Sequence, residues 1–201
     1  KGLKDPMDVL RVLSPREKPL CLHREVGLVS SMIGREEQFG IVMSAIDRLR
    51  YNCGCAVWIS GDPGVGKSRL IEEARKHAAS QVRWIQAQCF DHAKDTPYFP
   101  IALLVKELLD TGRSVSICHD LEDRITDLSC DPSFIPEIGF LCGLSPVNNN
   151  RNTYTPDEHR SRLSDAVSAL FSSAGSEQCL VFCIEDIHWA DPSTLDLLEY
   201  L

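Results

Sequence analysis

Eight consecutive residues, Gly61-Asp62-Pro63-Gly64-Val65-Gly66-Lys67-Ser68, satisfy the spacing G-x-x-x-x-G-K-[ST]. Glycines at both ends let the backbone curl until successive N–H groups point at one anion, as a phosphate cradle requires. Lys67 is then placed to reach the β- and γ-phosphates of a nucleotide, and the Ser68 hydroxyl to ligate Mg²⁺. A helix starting at the same point adds its positive N-terminal end. A second cluster lies at the end of an apolar run, Leu180-Val181-Phe182-Cys183-Ile184-Glu185-Asp186. Hard carboxylate oxygens at a strand end suit Mg²⁺ and its water shell, and a carboxylate there can also orient an attacking water. Glu185 and Asp186 are therefore the candidate catalytic pair. Which of the two holds the metal and which activates water stays open; the split favoured is Glu185, with Ser68, for Mg²⁺ and Asp186 for water.

Several elements must hold these groups. Phe39, Val42, Met43, Ile46 and Leu49 recur at helical spacing after Glu36, with Gly54 as the expected exit. Cys55–Ser60 is apolar and reads as a buried strand leading into the glycine loop. Lys67–Ala79 reads as a helix, Val82–Cys89 as a second strand, and Ile101–Leu109 as a helix after a break at Pro97–Pro100. Short helices are expected between Thr111 and Asn152, with a loop at Asn148–Asn150. Thr155-Pro156-Asp157-Glu158 is a capping box with Pro at the first helical position, and Leu163, Ala166, Val167, Leu170 and Phe171 form the face to be buried. Cys179–Ile184 is the third buried strand. Strands alternating with helices predict an α/β fold, a parallel sheet covered on both faces.

Composition sets the surroundings. The chain has 201 residues, 43% hydrophobic and 25% charged, and a formal net charge of -8. Such a charge disfavours nucleic acid as a partner of this segment, and no apolar run is long enough to span a membrane. Lys1 and Gly2 are followed by no apolar stretch and are not read as a secretory signal. Nine scattered cysteines without a C-x-x-C pair are expected to be buried reduced thiols in a reducing, cytoplasmic compartment rather than zinc ligands. The chain opens without Met and stops inside an apolar-periodic helix, Leu195–Leu201, so an internal segment of a longer protein, or a truncated gene model, is expected.

The run Ile184-Glu185-Asp186-Ile187-His188-Trp189-Ala190-Asp191-Pro192-Ser193-Thr194-Leu195 resembles the Walker B segment of AAA-like and STAND-type P-loop signalling ATPases. The box Ile33-Gly34-Arg35-Glu36 is similar to the one that opens the same module near the base. Tyr98, Pro100 and Pro136-Glu137 also fall where such proteins have similar residues. The resemblance covers residues 31–201 and departs from the common acidic pair by placing Glu185 first. It implies Mg-ATP binding, and hydrolysis in the full-length protein, with residues 1–201 alone expected to hydrolyse ATP poorly. It also implies a further strand between the two Walker strands, expected beyond Leu201 together with the strand at the far edge. His188 could sense the γ-phosphate, and packing beneath the sheet is the alternative for it and for Trp189. Arg35 could contact the nucleotide, or be a solvated arginine at a helix start. His92, His119 and His159 stand without partners and are assigned nothing.

Residues Lys1–Leu13, with K-G-L-x-x-P-x-x-V-x-x-V spacing, are similar to the last turn and strand of class III nucleotidyl cyclase domains, and residues 14–30 read as a linker. That order implies a cyclase–ATPase fusion of the soluble adenylyl cyclase type, with the cyclase as an upstream intramolecular partner. An ATPase module of a transcription regulator with a downstream DNA-binding domain, and a nucleotide-holding scaffold that does not hydrolyse, are the alternatives. Oligomerisation stays open.

Overall fold

A computed structural model describes residues 34–109, 117–144 and 154–201. The expected strand at Met7–Leu13, the linker at residues 14–30 and the loop at Asn148–Asn150 lie outside the described residues. The helices are α1 (Glu36–Arg48), α2 (Lys67–Ala78), α3 (Phe99–Leu109), α4 (Ile117–Asp127), α5 (Ile135–Leu141), α6 (Pro156–Glu177) and α7 (Pro192–Tyr200). Two strands, β1 (Arg83–Gln88) and β2 (Leu180–Glu185), pair in parallel from Arg83 opposite Leu180 to Gln88 opposite Glu185.

Side-chain alternation along each strand divides the packing between two faces. Ile85 and Ala87 from β1 are buried on one face, and Leu180, Phe182 and Ile184 from β2 pack with them. Helices α3, α5 and α6 close over this face through Ile101, Leu104, Val105, Leu108, Ile138, Leu163, Val167 and Leu170. Phe171 is only half-buried, not fully buried as its periodicity suggests, and it covers the core by lying flat on Phe182 with ring centroids 4.1 Å apart. The opposite face carries Trp84 and Val181, which pack on a smaller cluster of Val42, Ile46, Ala74 and Ala78 from α1 and α2.

Local signals set the helix boundaries. The capping box at α6 forms as expected: the Thr155 hydroxyl accepts from the Glu158 N–H at 3.3 Å, and the Glu158 carboxylate accepts from the Thr155 N–H at 2.7 Å. At the end of α1 a 3-10 turn, Leu49–Tyr51, intervenes, and the left-handed residue is Asn52, with φ 56°, rather than Gly54. Asparagine tolerates this conformation better than other non-glycine residues, so the exit falls two positions early.

The largest departure from expectation is residues 55–60. They form no strand, and Val57 and Trp58 are 43% and 72% exposed. An apolar run becomes a buried strand only where a neighbouring strand takes up its backbone N–H and C=O groups. Among the described residues the sheet contains only β1 and β2, so this segment has no ladder to join. Ile59 alone turns inward, against the small cluster.

Candidate phosphate and metal site

The glycine loop sits at the amino end of α2, with Gly61, Gly64 and Gly66 all at positive φ. Two of these positions show why glycine is required. A Cβ on Gly61 would come within 3.2 Å of Val65 Cγ2, and Gly66, at φ 92°, is the left-handed N-cap from which α2 starts. The Lys67 ammonium folds back into the loop, donating to the Gly61 carbonyl at 2.9 Å and the Asp62 carbonyl at 3.0 Å. Arg35, just before α1, donates to the Val65 carbonyl at 2.7 Å. The structure thus brings Arg35 to the loop across 30 residues of sequence. Ser68 is exposed in the first turn of α2, and Asp62, Pro63, Gly64 and Val65 are exposed along the loop.

The acidic pair ends β2. Glu185 is half-buried and, by alternation, lies on the face that carries Val181 and faces α1 and α2. Asp186 is exposed and has left β-space, with φ 54°, as the N-cap of a short 3-10 turn, Ile187–Trp189. Like asparagine, aspartate visits this conformation more readily than most non-glycine residues, and here it turns the chain out of the strand. Each carboxylate accepts a hydrogen bond from a glutamine of β1. Gln86 Nε2 donates to Glu185 Oε1 at 2.5 Å, and Gln88 Nε2 donates to Asp186 Oδ2 at 3.0 Å. These two glutamines were not singled out in the sequence. The signal was there, since Gln86 and Gln88 alternate with Ile85 and Ala87 inside an otherwise apolar run.

Beyond Asp186 the chain is tightly braced. Asp191 and Thr194 are buried, and Asp191 caps α7 by accepting from the Thr194 N–H at 2.9 Å and from its hydroxyl at 2.5 Å. Tyr98, itself buried at φ 60°, interacts with the Ser193 side chain. His188 and Trp189 pack on each other with ring centroids 4.9 Å apart, and both are exposed. Neither lies beneath the sheet, because the turn at Asp186 carries them past the strand's end. His92 is also partnered, stacking on Phe90, and His159 meets the Phe140 edge.

Among the described residues no hydrogen bond or ion pair joins Lys67 or Ser68 to Glu185 or Asp186. The two halves share the sheet face of α1 and α2 through the small cluster. Two thiols lie near the acids. Burial, reinforced by the charges of Asp186 and Asp191, pushes the Cys89 thiol up to about 11. Burial and the Glu185 charge push Cys183 up to about 12. Cys130 is buried as well, whereas Cys53 and Cys55 are exposed, so the expectation of uniformly buried thiols fails where residues 53–60 lack a covering strand. The described residues contain no cluster of three or more His, Cys, Asp or Glu with metal-ligand geometry, and no described helix is long and apolar enough to cross a membrane.

The donor set fits a nucleotide and a hard cation. A glycine cradle, a lysine already hydrogen-bonded inside it and a helix N-terminus suit phosphate oxygens. The two carboxylates each keep an oxygen not used by the glutamines, as an oxygen-liganded cation with a water shell needs.

Comparisons with known proteins identify the family. Residues 31–201 match the family model described as the AAA ATPase domain. The chain is 24% identical to an uncharacterized protein of Rhizobium meliloti over 98% of the chain and 20% of that protein. It is 27% identical to the hybrid signal transduction histidine kinase G of Dictyostelium discoideum over 86% of the chain and 5% of the kinase. It is 23% identical to adenylate cyclase type 10 of Mus musculus over 100% of the chain and 13% of the cyclase. The chain therefore spans a fifth or less of the curated relatives it matches. No solved structure matches it.

Proposed function

The chain belongs to the AAA ATPase domain family, and on that premise we propose that it binds Mg-ATP, hydrolyses it, and serves as the regulatory module of a cyclase-linked signalling protein. The observation that carries the nucleotide reading is the loop at Gly61–Ser68. Its glycines Gly61, Gly64 and Gly66 hold positive φ values that other residues rarely adopt, and Lys67 is held inside its curve by two loop carbonyls. An incoming phosphate offers that ammonium charged oxygens in place of neutral carbonyls, and charge-assisted contacts are the stronger ones.

In this reading the loop N–H groups and Lys67 bind and orient the phosphates. Ser68 and Glu185 would hold Mg²⁺, which when bound would offset the negative charge of the phosphates. Asp186, kept at the end of β2 by Gln88, orients and deprotonates water. Arg35, fixed to the loop through Val65, lies close to the nucleotide, and His188 faces solvent at the same end of the sheet as the acids. The exposed Val57 and Trp58 and the sheet's two-strand extent favour an additional strand, from outside the described residues, between the glycine-loop segment and β2.

The signalling role is supported by the relatives, since one is named an adenylate cyclase and another a signal transduction histidine kinase. The similarity of residues 1–13 to the end of a cyclase domain points the same way. A cytoplasmic setting follows from this reading and from the free cysteines.

Titration calorimetry tests the binding step. Lys67→Ala should lose about 1.5–3 kcal/mol of ATP affinity, the scale of a hydrogen bond to a charged group. Equal affinity in the two proteins would remove the phosphate site from the glycine loop. Single-turnover assays test the acids: Asp186→Asn should bind ATP and release phosphate at least tenfold more slowly, on the scale of general-base catalysis. Unchanged release would shift the base to another group.

A further inference from the structure

We infer that Gln86 is a positioning residue for the metal-binding carboxylate, holding Glu185 in one orientation from a strand that is itself anchored on its far side. The inference rests on the Mg-ATP reading above and adds to it a residue that no motif contains.

The geometry starts with β1. Its Gln86 N–H, on the edge away from β2, donates to Glu107 Oε2 of α3 at 3.1 Å. Three residues earlier the Arg83 guanidinium donates to the carbonyls of Glu107 and Leu108, at 2.8 and 2.9 Å. The outer edge of β1 is thus tied to the last turn of α3, and the inner edge to β2 through the ladder. From this fixed backbone the Gln86 side chain stands on the α1–α2 face and reaches two residues diagonally forward, from its register partner Cys183 to the Glu185 carboxylate.

A glutamate at a strand end has three side-chain torsions, and a cation gains most when they are set before it arrives. The Gln86 amide supplies that restraint. It occupies Oε1 as a neutral donor, so it orients the carboxylate while leaving its charge and its second oxygen. Cys183 on the same face cannot do this, because a buried protonated thiol is a weak donor. Leu or Met at position 86 would fill the same half-buried volume and give no restraint.

Two roles for Gln86 predict opposite orders in two variants. Gln86→Met keeps the volume and loses the amide, whereas Gln86→Asn keeps the amide on a stem one carbon shorter. The readout is the gain in affinity for ATPγS on going from EDTA to saturating Mg²⁺, measured by calorimetry in the full chain, with thermal unfolding run alongside. Positioning predicts that Gln86→Met loses at least fivefold of the Mg²⁺ gain while its EDTA affinity stays within twofold of wild type. Gln86→Asn then falls between the two. A Met variant that keeps the full Mg²⁺ gain, or an Asn variant that loses more of it than Met, overturns the inference and leaves Gln86 as packing. A wild-type protein that binds ATPγS no better with Mg²⁺ overturns the underlying metal reading instead, and the two failures are distinguishable.

Discussion

The two faces of the sheet are built unequally, although in the proposed reading both serve one site. On the α3–α6 face β1 and β2 sit over a continuous core that includes Ile85, Leu104, Leu108, Ile125, Leu163 and Leu170, all nearly free of solvent. On the face of the glycine loop the buried cluster is Val42, Ile46, Ala74 and Ala78. Next to it Val57, Trp58 and Ile41 remain exposed, and α1 and residues 55–57 line an open groove with Glu37, Ile41, Ala45 and Arg48 on one side. The acids are therefore held by a packed strand pair, while the phosphate loop is held by two helices and a few hydrogen bonds. In physical terms the acidic half is preformed and the phosphate half is the one whose order a ligand can change.

Matched truncations should expose this difference most strongly. Ile85→Ala opens a cavity in a site that cannot collapse, and its cost in denaturant unfolding should lie near the upper end of the range of about 2–5 kcal/mol for such changes. Ile46→Ala, the same deletion in the small cluster, should lie near the lower end, because α1 can settle toward its exposed neighbours. Equal costs would show that the two faces are equally consolidated, and the comparison would fail.

Nucleotide binding should sharpen it. A ligand that binds only the ordered loop stabilises that loop by mass action, by about 2.7 kcal/mol at one hundred times its Kd. Amide hydrogen exchange with ATP and Mg²⁺ should slow in residues 61–70 and in α1, with little change in α6 or at the centre of β1. Protection spread evenly over both faces would mean that the loop is already as ordered as the core.

The smallest effect concerns the thiols between these regions. Cys89 and Cys183 have folded-state pKa values raised to about 11 and about 12 from an ordinary value of 9.0. A raised acid keeps its proton in the folded protein after the unfolded chain has released it. Stability is therefore unaffected below pH 9 and falls as pH rises from about 9 toward 11 and 12. Urea unfolding across that window should show the decline, and it should shrink in Cys183→Ala. At pH 8 a thiol reagent should modify the exposed Cys53 and Cys55 well before these two. Fast labelling of Cys183 would place it outside the packed sheet.

Much of the site was legible from residue order because its chemistry is local. Gly61 to Ser68 needs only its own backbone to curl and its own helix to start, and the Thr155 capping box closes over three residues. The alternation in Val82–Cys89 and the apolar run before Glu185 likewise predicted both strands to within a residue or so at each end. What sequence could not decide was partnership. The run at residues 55–60 has the composition of a buried strand, but a strand exists only where another supplies its ladder, and none among the described residues does. Trp189, apolar and three residues past Asp186, is turned outward by the left-handed backbone at Asp186. Gln86 and Glu185 are 99 positions apart in the chain, and Gln88 and Asp186 are 98 apart. Their hydrogen bonds follow from the parallel register of β1 and β2, which depends on how all the helices between them pack. Sequence thus determined which groups are candidates to bind phosphate and metal, since candidacy is a property of residue type and short spacing. Only the tertiary structure decided which side chains hold the acids, because long-range register is set by the packing of the whole fold.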